Sequence, residues 1–174
     1  MDKPENRMEV VKIISQRSYV NAPVDVVKMS MTGTFKYARS EDPKPLPDFN
    51  VFHRYAANFP WASHASWFIT QMIRWGQIDQ PLDIKKAAES VYRADIYRDA
   101  AKEVGVPYPT IDYKTEGQHA TGWTLKEASS PIPMGPDRFF DGESYDPAAL
   151  VAYLKQFDIT NMKVSMDELA KLNT

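Results

Sequence analysis

Apolar residues at helical or alternating spacing predict the elements of the first third of the chain. A helical stripe runs over residues 5–17, and a second predicted helix follows Pro23 and ends at Gly33. Phe35 and Tyr37 alternate with Lys36 and Ala38, which predicts a short strand. An extended, non-helical path is then forced by three alternate prolines, Pro43, Pro45 and Pro47.

The segment from Ser63 to Trp75 has the strongest helical pattern. We expect its buried face to carry Ala65, Phe68, Met72 and Trp75. We expect its solvent face to carry Ser66, Thr70, Arg74 and Gln77.

Trp67 shares the expected solvent side of this helix with Gln71 and Arg74. In the first interpretation, the indole lies at the surface or stacks on Arg74 as a cation–π pair. In the second, the helix is sandwiched between two layers and Trp67 contacts a second body. The pattern leaves both interpretations open. Candidate interface residues are therefore Trp67, Gln71, Arg74 and, from the aromatic segment described below, Trp123.

Four further helix signals follow along the chain. Asp83 is a candidate cap of a helix, and Asp95 is a candidate cap of another that Gly105 ends. Asp146 and Pro147 begin a third, and Ser165 with Glu168 form a capping box for a fourth. The expected buried positions are Leu82, Ile84, Ala87, Val91, Ile96, Ala100, Val104, Leu150, Val151, Leu154, Phe157, Met166, Leu169 and Leu172.

Residues 106–145 interrupt these helices with prolines, glycines and aromatic rings. Long irregular segments are uncommon in compact domains, and aromatic rings argue against a solvated linker. We therefore predict a strap that is laid over a surface and held by its rings. The expected organisation is a helical part over 1–105, the strap over 106–145 and C-terminal helices over 146–174.

Composition and charge exclude several functional classes. The chain has 174 residues, with 21 Lys and Arg against 23 Asp and Glu and a formal net charge of −2. That balance does not favour nucleic-acid binding. The absence of Cys excludes disulfides and thiolate sites. The first residues lack the apolar core of a signal peptide, and no apolar run reaches the ~20 residues that a membrane span needs.

The sequence contains no recognisable catalytic or metal-binding motif. His53, His64 and His119 are far apart, so packed or solvated histidines are expected, although a site assembled in space stays open. There is neither a phosphate-binding loop nor a G-x-S-x-G elbow. We therefore expect no enzyme, no cofactor and no metal site.

An ordered series of motifs resembles a known family. Within residues 49–78, Ser63-His64 precedes Trp67-Phe68, and then comes Arg74-Trp75-Gly76. Similar motifs occupy residues 6–23, 92–98 and 139–147. From about Arg7 to Ile159 the chain resembles the C-terminal portion of the nitrate- and bicarbonate-binding proteins of ABC importers.

The resemblance implies an α/β fold of the type II periplasmic-binding-protein class, here dominated by helices with a few short strands. Such a protein closes two lobes over a small oxyanion, and the residues that hold the anion are expected upstream of this segment. The resemblance therefore implies no ligand-binding residue in this chain. It implies nitrate, nitrite or bicarbonate binding only together with N-terminal lobes, an importer permease as partner, and a periplasmic location.

Two other functions stay open within the same family. One is a cytoplasmic nitrate sensor that acts with a regulator, and the other is a regulatory domain of the importer ATPase. The principal expectation is the C-terminal part of a binding protein for nitrate or nitrite. A segment of this kind is expected to be poorly stable and to bind nitrate negligibly by itself.

Overall fold

The computed structural model describes residues 1–158 and 160–173, and it divides the chain into two compact units. The first unit is Met1–Asn58 and the second is Phe59–Thr174. The division follows Asn58, whereas the expected segments 1–105, 106–145 and 146–174 were drawn from sequence character and stay predictions.

Helices account for most of the regular structure, as expected. The helices are α1 (Pro4–Ile14), α2 (Val24–Met31), α3 (Ala62–Arg74), α4 (Ile84–Val91), α5 (Ala94–Val104), α6 (Leu150–Leu154) and α7 (Met166–Leu172). The strands are β1 (Thr34–Phe35), β2 (Lys44–Pro45), β3 (Trp123–Leu125) and β4 (Ile132–Met134). Within the described residues, no helix combines the length and the apolar character that crossing a membrane requires.

The Met1–Asn58 unit packs α1 against α2 and adds the antiparallel pair of β1 and β2. Its core holds Val11, Val27 and Met31. The predicted strand at Phe35 is confirmed, but Tyr37 lies outside it and is exposed. The Asp2 carboxylate accepts backbone N–H groups of residues 52–54 within this unit. Those bonds tie the start of the chain to the end of the unit.

The Phe59–Thr174 unit is built around α3. Helix α4 packs along α3, and α6 and α7 complete the main core. That core includes Ile73, Ile84, Tyr145, Leu150, Tyr153, Leu154, Val164 and Leu169. The segment that was predicted as an irregular strap contains the antiparallel hairpin of β3 and β4, together with a bridge between Glu116 and Tyr145.

Several predicted helix ends are confirmed by hydrogen bonds. Asp83 accepts the Lys86 N–H at the start of α4. Ser165 and Glu168 form the capping box of α7. Gly105 has the left-handed conformation that ends α5, with φ of 69°. The expected cap Asp95 is instead a first-turn residue of α5, whose N-cap is Arg93.

The predicted burial of α3 was wrong at most positions, although Ala65 is buried and Gln77 is exposed as expected. Phe68, Met72 and Trp75 are exposed, whereas Ser66 and Thr70 are buried. The prediction assumed that hydroxyl side chains face water, but both hydroxyls are hydrogen-bonded inside the unit. Further expected core positions are also exposed: Ala100, Val91, Ile96, Val104 and Leu172.

Candidate functional site

The buried face of α3 is polar, and it is covered by the segment that follows α5. Glu116 and Tyr145 exchange backbone hydrogen bonds of 2.9 Å in an antiparallel bridge. This bridge places the Glu116 carboxylate on Ser63, whose hydroxyl donates to it at 2.6 Å. It also places the Tyr145 hydroxyl 2.5 Å from the Ser66 hydroxyl and 3.1 Å from that of Thr70. These hydrogen bonds fasten the strap to the polar face of α3.

A charged cluster surrounds Glu116. Lys114 forms an ion pair with this carboxylate, and both side chains are buried. His64 Nε2 lies 3.4 Å from Glu116 Oε2. The Lys114 ammonium also lies 3.6 Å from Asp137 Oδ2. Two carboxylates thus share one lysine, which is the arrangement that compensates a buried charge.

Asp137 extends this cluster to His119 and Trp123. The Asp137 carboxylate accepts the backbone N–H of His119 at 2.7 Å and lies 3.0 Å from the Nδ1 atom of its ring. The His119 ring stacks on the Trp123 indole with centroids 4.0 Å apart. Trp123 Nε1 is buried with no hydrogen-bond partner in the part of the chain that the structure describes.

Burial and hydrogen bonding act in opposite directions on Glu116. Burial alone raises the pKa of this carboxyl, but the hydrogen bond with His64 and the charge of Lys114 lower it by more. The net pKa lies below the usual glutamate value, so the group is ionised at neutral pH. Burial raises the pKa of the Tyr145 phenol, which keeps it protonated while it is hydrogen-bonded with the hydroxyls of Ser66 and Thr70.

Three of the four candidate interface residues lie together against residues 153–157, in α6 and just after it. Trp67 Nε1 and Gln71 Nε2 both donate to the Tyr153 hydroxyl at 3.1 Å. The Arg74 guanidinium lies 3.6 Å from the centre of the Phe157 ring and also stacks over Trp75. Within this unit Trp67 therefore contacts a second layer of its own chain, the layer that α6 forms.

The fourth candidate, Trp123, lies on β3 and stacks on the His119 ring. The structure thus brings Trp67, Gln71 and Arg74 into one cluster and leaves Trp123 in the charged cluster around Asp137. An interface role stays a prediction for all four.

The apolar side of α3 forms an exposed stripe of Phe68, Met72 and Trp75. Their side chains are 55%, 41% and 47% exposed, and their spacing places them on one helical face. Trp67 borders this stripe, since its ring contacts the Phe68 ring edge-on. Contiguous exposed apolar surface of this kind is typical of interaction sites.

The histidine cluster was missed at the level of sequence. His64 and His119 were expected to be packed or solvated, yet both join the network of Lys114, Glu116 and Asp137. The one available signal was the Lys114-x-Glu116 spacing inside an otherwise irregular stretch. Among residues 1–158 and 160–173, no group of three or more potential ligands could hold a metal ion.

Known proteins with similar sequences cover nearly the whole chain. The nitrate/nitrite binding protein NrtA of a Synechocystis species is 29% identical over 165 residues, which are 93% of this chain and 33% of that protein. The bicarbonate-binding protein CmpA of Synechococcus elongatus is 32% identical over 168 residues, again 91% of this chain and 33% of that protein. No protein-family model matches the chain.

A solved structure agrees with these sequence matches. The crystal structure of the periplasmic nitrate-binding protein NrtA from Synechocystis superposes with a TM-score of 0.68 and 25% identity, covering 91% of this chain and 37% of that one. The chain is related to the nitrate- and bicarbonate-binding proteins. The resemblance and the fold class expected from the motifs are therefore confirmed.

The match to this family is partial in length. The chain spans about a third of the length of the NrtA and CmpA relatives. It also matches the nitrate import ATP-binding protein NrtC of Synechococcus elongatus, with 28% identity over 158 residues that make up 20% of that protein. The NrtA and CmpA relatives are named as binding proteins, whereas NrtC is named as an ATP-binding protein.

Proposed function

We propose that this chain is the C-terminal part of the substrate-binding protein of an ABC importer for a small oxyanion, with nitrate or nitrite as the ligand. The proposal is supported by the relatives NrtA and CmpA, which are named as nitrate/nitrite- and bicarbonate-binding proteins. The anion is held by lobes that this chain does not supply, and the assembled protein delivers it to the importer permease. The proposed location is the periplasm.

The exposed stripe of α3 is the observation that carries this proposal. Phe68, Met72 and Trp75 present a row of large apolar side chains to solvent, while the polar face of the same helix is buried. The relatives are about three times longer than the segment that matches, so they contain further chain against which such a stripe can pack. We place the interface with those lobes on the stripe.

The four candidate interface residues have different parts in this proposal. Trp67 borders the stripe, Gln71 contacts Tyr153 of α6, and Arg74 stacks on Phe157 after the end of α6. Trp123 is a second proposed contact, since its side chain is only partly buried within this chain.

A chimaera tests the functional part of the proposal. This chain would replace the matching third of Synechocystis NrtA, and nitrate binding would be measured by isothermal titration calorimetry. We expect the chimaera to bind nitrate and the chain alone to bind it negligibly. Micromolar binding of nitrate by the chain alone would overturn the proposal that the anion site lies elsewhere. A folded chimaera that binds no nitrate, nitrite or bicarbonate would overturn the proposed function.

The stripe is tested in the same chimaera. Phe68→Ser and Trp75→Ser should expose apolar surface of the lobes and lower the melting temperature of the chimaera, but leave that of the chain alone nearly unchanged. The matched control is Val104→Ser on α5, since Val104 is also exposed. If the stripe variants and the control shift the chimaera equally, the proposed interface is elsewhere.

A second candidate function is a regulatory domain of the importer ATPase, which the match to NrtC favours. The genomic sequence upstream of Met1 distinguishes the two candidates. A phosphate-binding loop in the same reading frame supports the ATPase domain, while a signal peptide and two lobes support the binding protein.

A further inference from the structure

A cavity of about 530 Å³ lies within the Phe59–Thr174 unit, away from the exposed stripe. Its wall is formed by five stretches of chain: Ser66 on α3, the start of α4, the strap at residues 113–115, the turn that leads into α6, and the end of α7. The volume is in the range of small-molecule sites, which run from about 300 to 1,000 Å³. Neither the stripe residues nor the four candidate interface residues line this cavity.

Hydrogen bonds hold the rim of the cavity in place. The Asn173 side chain accepts the Ile84 N–H at 2.8 Å and donates to the Leu82 carbonyl at 3.1 Å. It thereby fastens the end of α7 to the start of α4. On the opposite wall, the Tyr113 hydroxyl donates to Glu89 at 3.2 Å. A preformed rim of this kind lowers the conformational cost of binding.

The charged groups of the wall differ in how far they are already paired. Lys114 is committed to Glu116 and Asp137. Lys85 also lines the cavity, and its ammonium has no ion pair or hydrogen bond within the described part of the chain.

Each of the two aspartates in the wall uses one carboxylate oxygen in a hydrogen bond. Asp83 Oδ1 accepts the Lys86 N–H at 2.9 Å, and Asp146 Oδ1 accepts the Ala148 N–H at 2.9 Å, each as a helix cap. Among the described residues, no partner engages the second oxygen of either carboxylate. The cavity therefore offers one unpaired ammonium and one free oxygen on each of two exposed carboxylates, beside the apolar surfaces of Pro147, Leu150 and Leu172.

We propose that this cavity binds a free basic amino acid. Lys85 complements the α-carboxylate of such a ligand, and Asp146 and Asp83 complement its two cationic groups. The methylene chain between those groups packs on the apolar part of the wall. A neutral amino acid leaves one carboxylate uncompensated, and an acidic one adds repulsion, so the charge balance selects a ligand of net charge +1.

Isothermal titration of the full chain with L-arginine and L-lysine tests the site. L-leucine and L-glutamate probe the need for the second cation, and agmatine, which lacks the carboxylate, probes the role of Lys85. We expect arginine or lysine to bind, with leucine, glutamate and agmatine each at least about tenfold weaker, because a hydrogen bond to a charged group contributes about 1.5–3 kcal/mol.

Conservative variants assign the binding to these residues. Asp146→Asn keeps the helix cap, since Asn caps as well as Asp, but it removes the charge. Asp146→Asn and Lys85→Gln should each weaken arginine binding at least about tenfold. The control is Asp99→Asn, an exposed carboxylate on α5 that does not line the cavity, and it should change the affinity less than about twofold.

Two results would overturn this inference. One is the absence of any heat of binding when arginine or lysine is added to about 10 mM, a concentration above the dissociation constant of any specific site. The other is arginine binding that Asp146→Asn and Lys85→Gln leave unchanged. Nitrate binding by the chimaera is independent of both results, so the two proposals can fail separately.

Discussion

Ser63 donates a 2.6 Å hydrogen bond to Glu116, and the two residues are 53 positions apart in the sequence. The bond joins the first turn of α3 to the middle of the strap. It forms because the Glu116–Tyr145 bridge aligns two extended stretches with the polar face of the helix. The strap is therefore held by a row of buried polar contacts as well as by its aromatic rings.

Removal of the charge of Glu116 should destabilise the Phe59–Thr174 unit. Glu116→Gln removes the ion pair with Lys114, which is left buried beside Asp137 alone. Breaking a buried ion pair costs about 3–5 kcal/mol, and the remaining carboxylate should reduce that to about 2–3 kcal/mol. Urea unfolding of the full chain measures the loss.

Glu127→Gln is the control for this variant, because Glu127 is an exposed carboxylate of the same strap. Its effect should stay within about 0.5 kcal/mol. Equal losses of unfolding free energy in the two variants would show that the Glu116 ion pair contributes nothing to stability.

Acid should remove the stabilising effect of the Glu116–Lys114 ion pair from the wild-type chain. The pKa of Glu116 is lowered in the folded state, so this carboxylate stabilises the fold at pH values above its unfolded pKa of about 4.3. The stabilisation is lost as pH falls through the lower, folded pKa. The unfolding free energies of wild type and Glu116→Gln should therefore differ most near neutral pH and converge once the pH has fallen below the folded pKa of Glu116. A difference that does not change with pH would contradict this assignment.

The sequence predicted helix ends better than helix faces. Asp83, Gly105 and the Ser165–Glu168 capping box act through residues that are close in sequence, so their roles follow from local spacing. The buried face of α3 depends on what covers it. Glu116 and Tyr145 satisfy its hydroxyls from 53 and 79 positions away, and no local pattern contains that information.

In the candidate site, too, features that depend on local sequence were predicted and those that depend on distant residues were not. The motif series identified the family because it uses the order of many residues along the chain. The cluster of His64, Lys114 and Asp137 was missed, since its members lie on different stretches of the chain and only the Lys114-x-Glu116 spacing pointed to it. The sequence pattern singled out Trp67 as unusual but could not name its neighbour Tyr153, which lies 86 positions away.

Two glycines with similar backbone angles should respond differently to Ala. Gly76 has φ of 67°, and a Cβ there would collide with the backbone carbonyl of Asn161. Gly105 has φ of 69°, and a Cβ there would meet nothing within 4 Å. Gly105→Ala should cost about 1–2 kcal/mol of unfolding free energy from left-handed strain alone. Gly76→Ala should cost more, because the chain must also shift. Thermal and urea unfolding measure the stability that each variant loses. Equal losses in Gly76→Ala and Gly105→Ala would contradict the close approach of Asn161 to Gly76.

The reversed burial of α3 is tested by neighbouring truncations. Ile73 is fully buried in the main core, whereas Met72 is 41% exposed on the stripe. Ile73→Ala removes packed methylene groups and should lower the unfolding free energy of the chain by about 2–5 kcal/mol. Met72→Ala should lower it by less than about 1 kcal/mol. The sequence pattern predicted a buried Met72, and in that case its truncation would cost as much as that of Ile73. Urea unfolding of the two variants therefore decides which face of the helix is inside, because they differ by one position on the same helix and by about 100° around its axis.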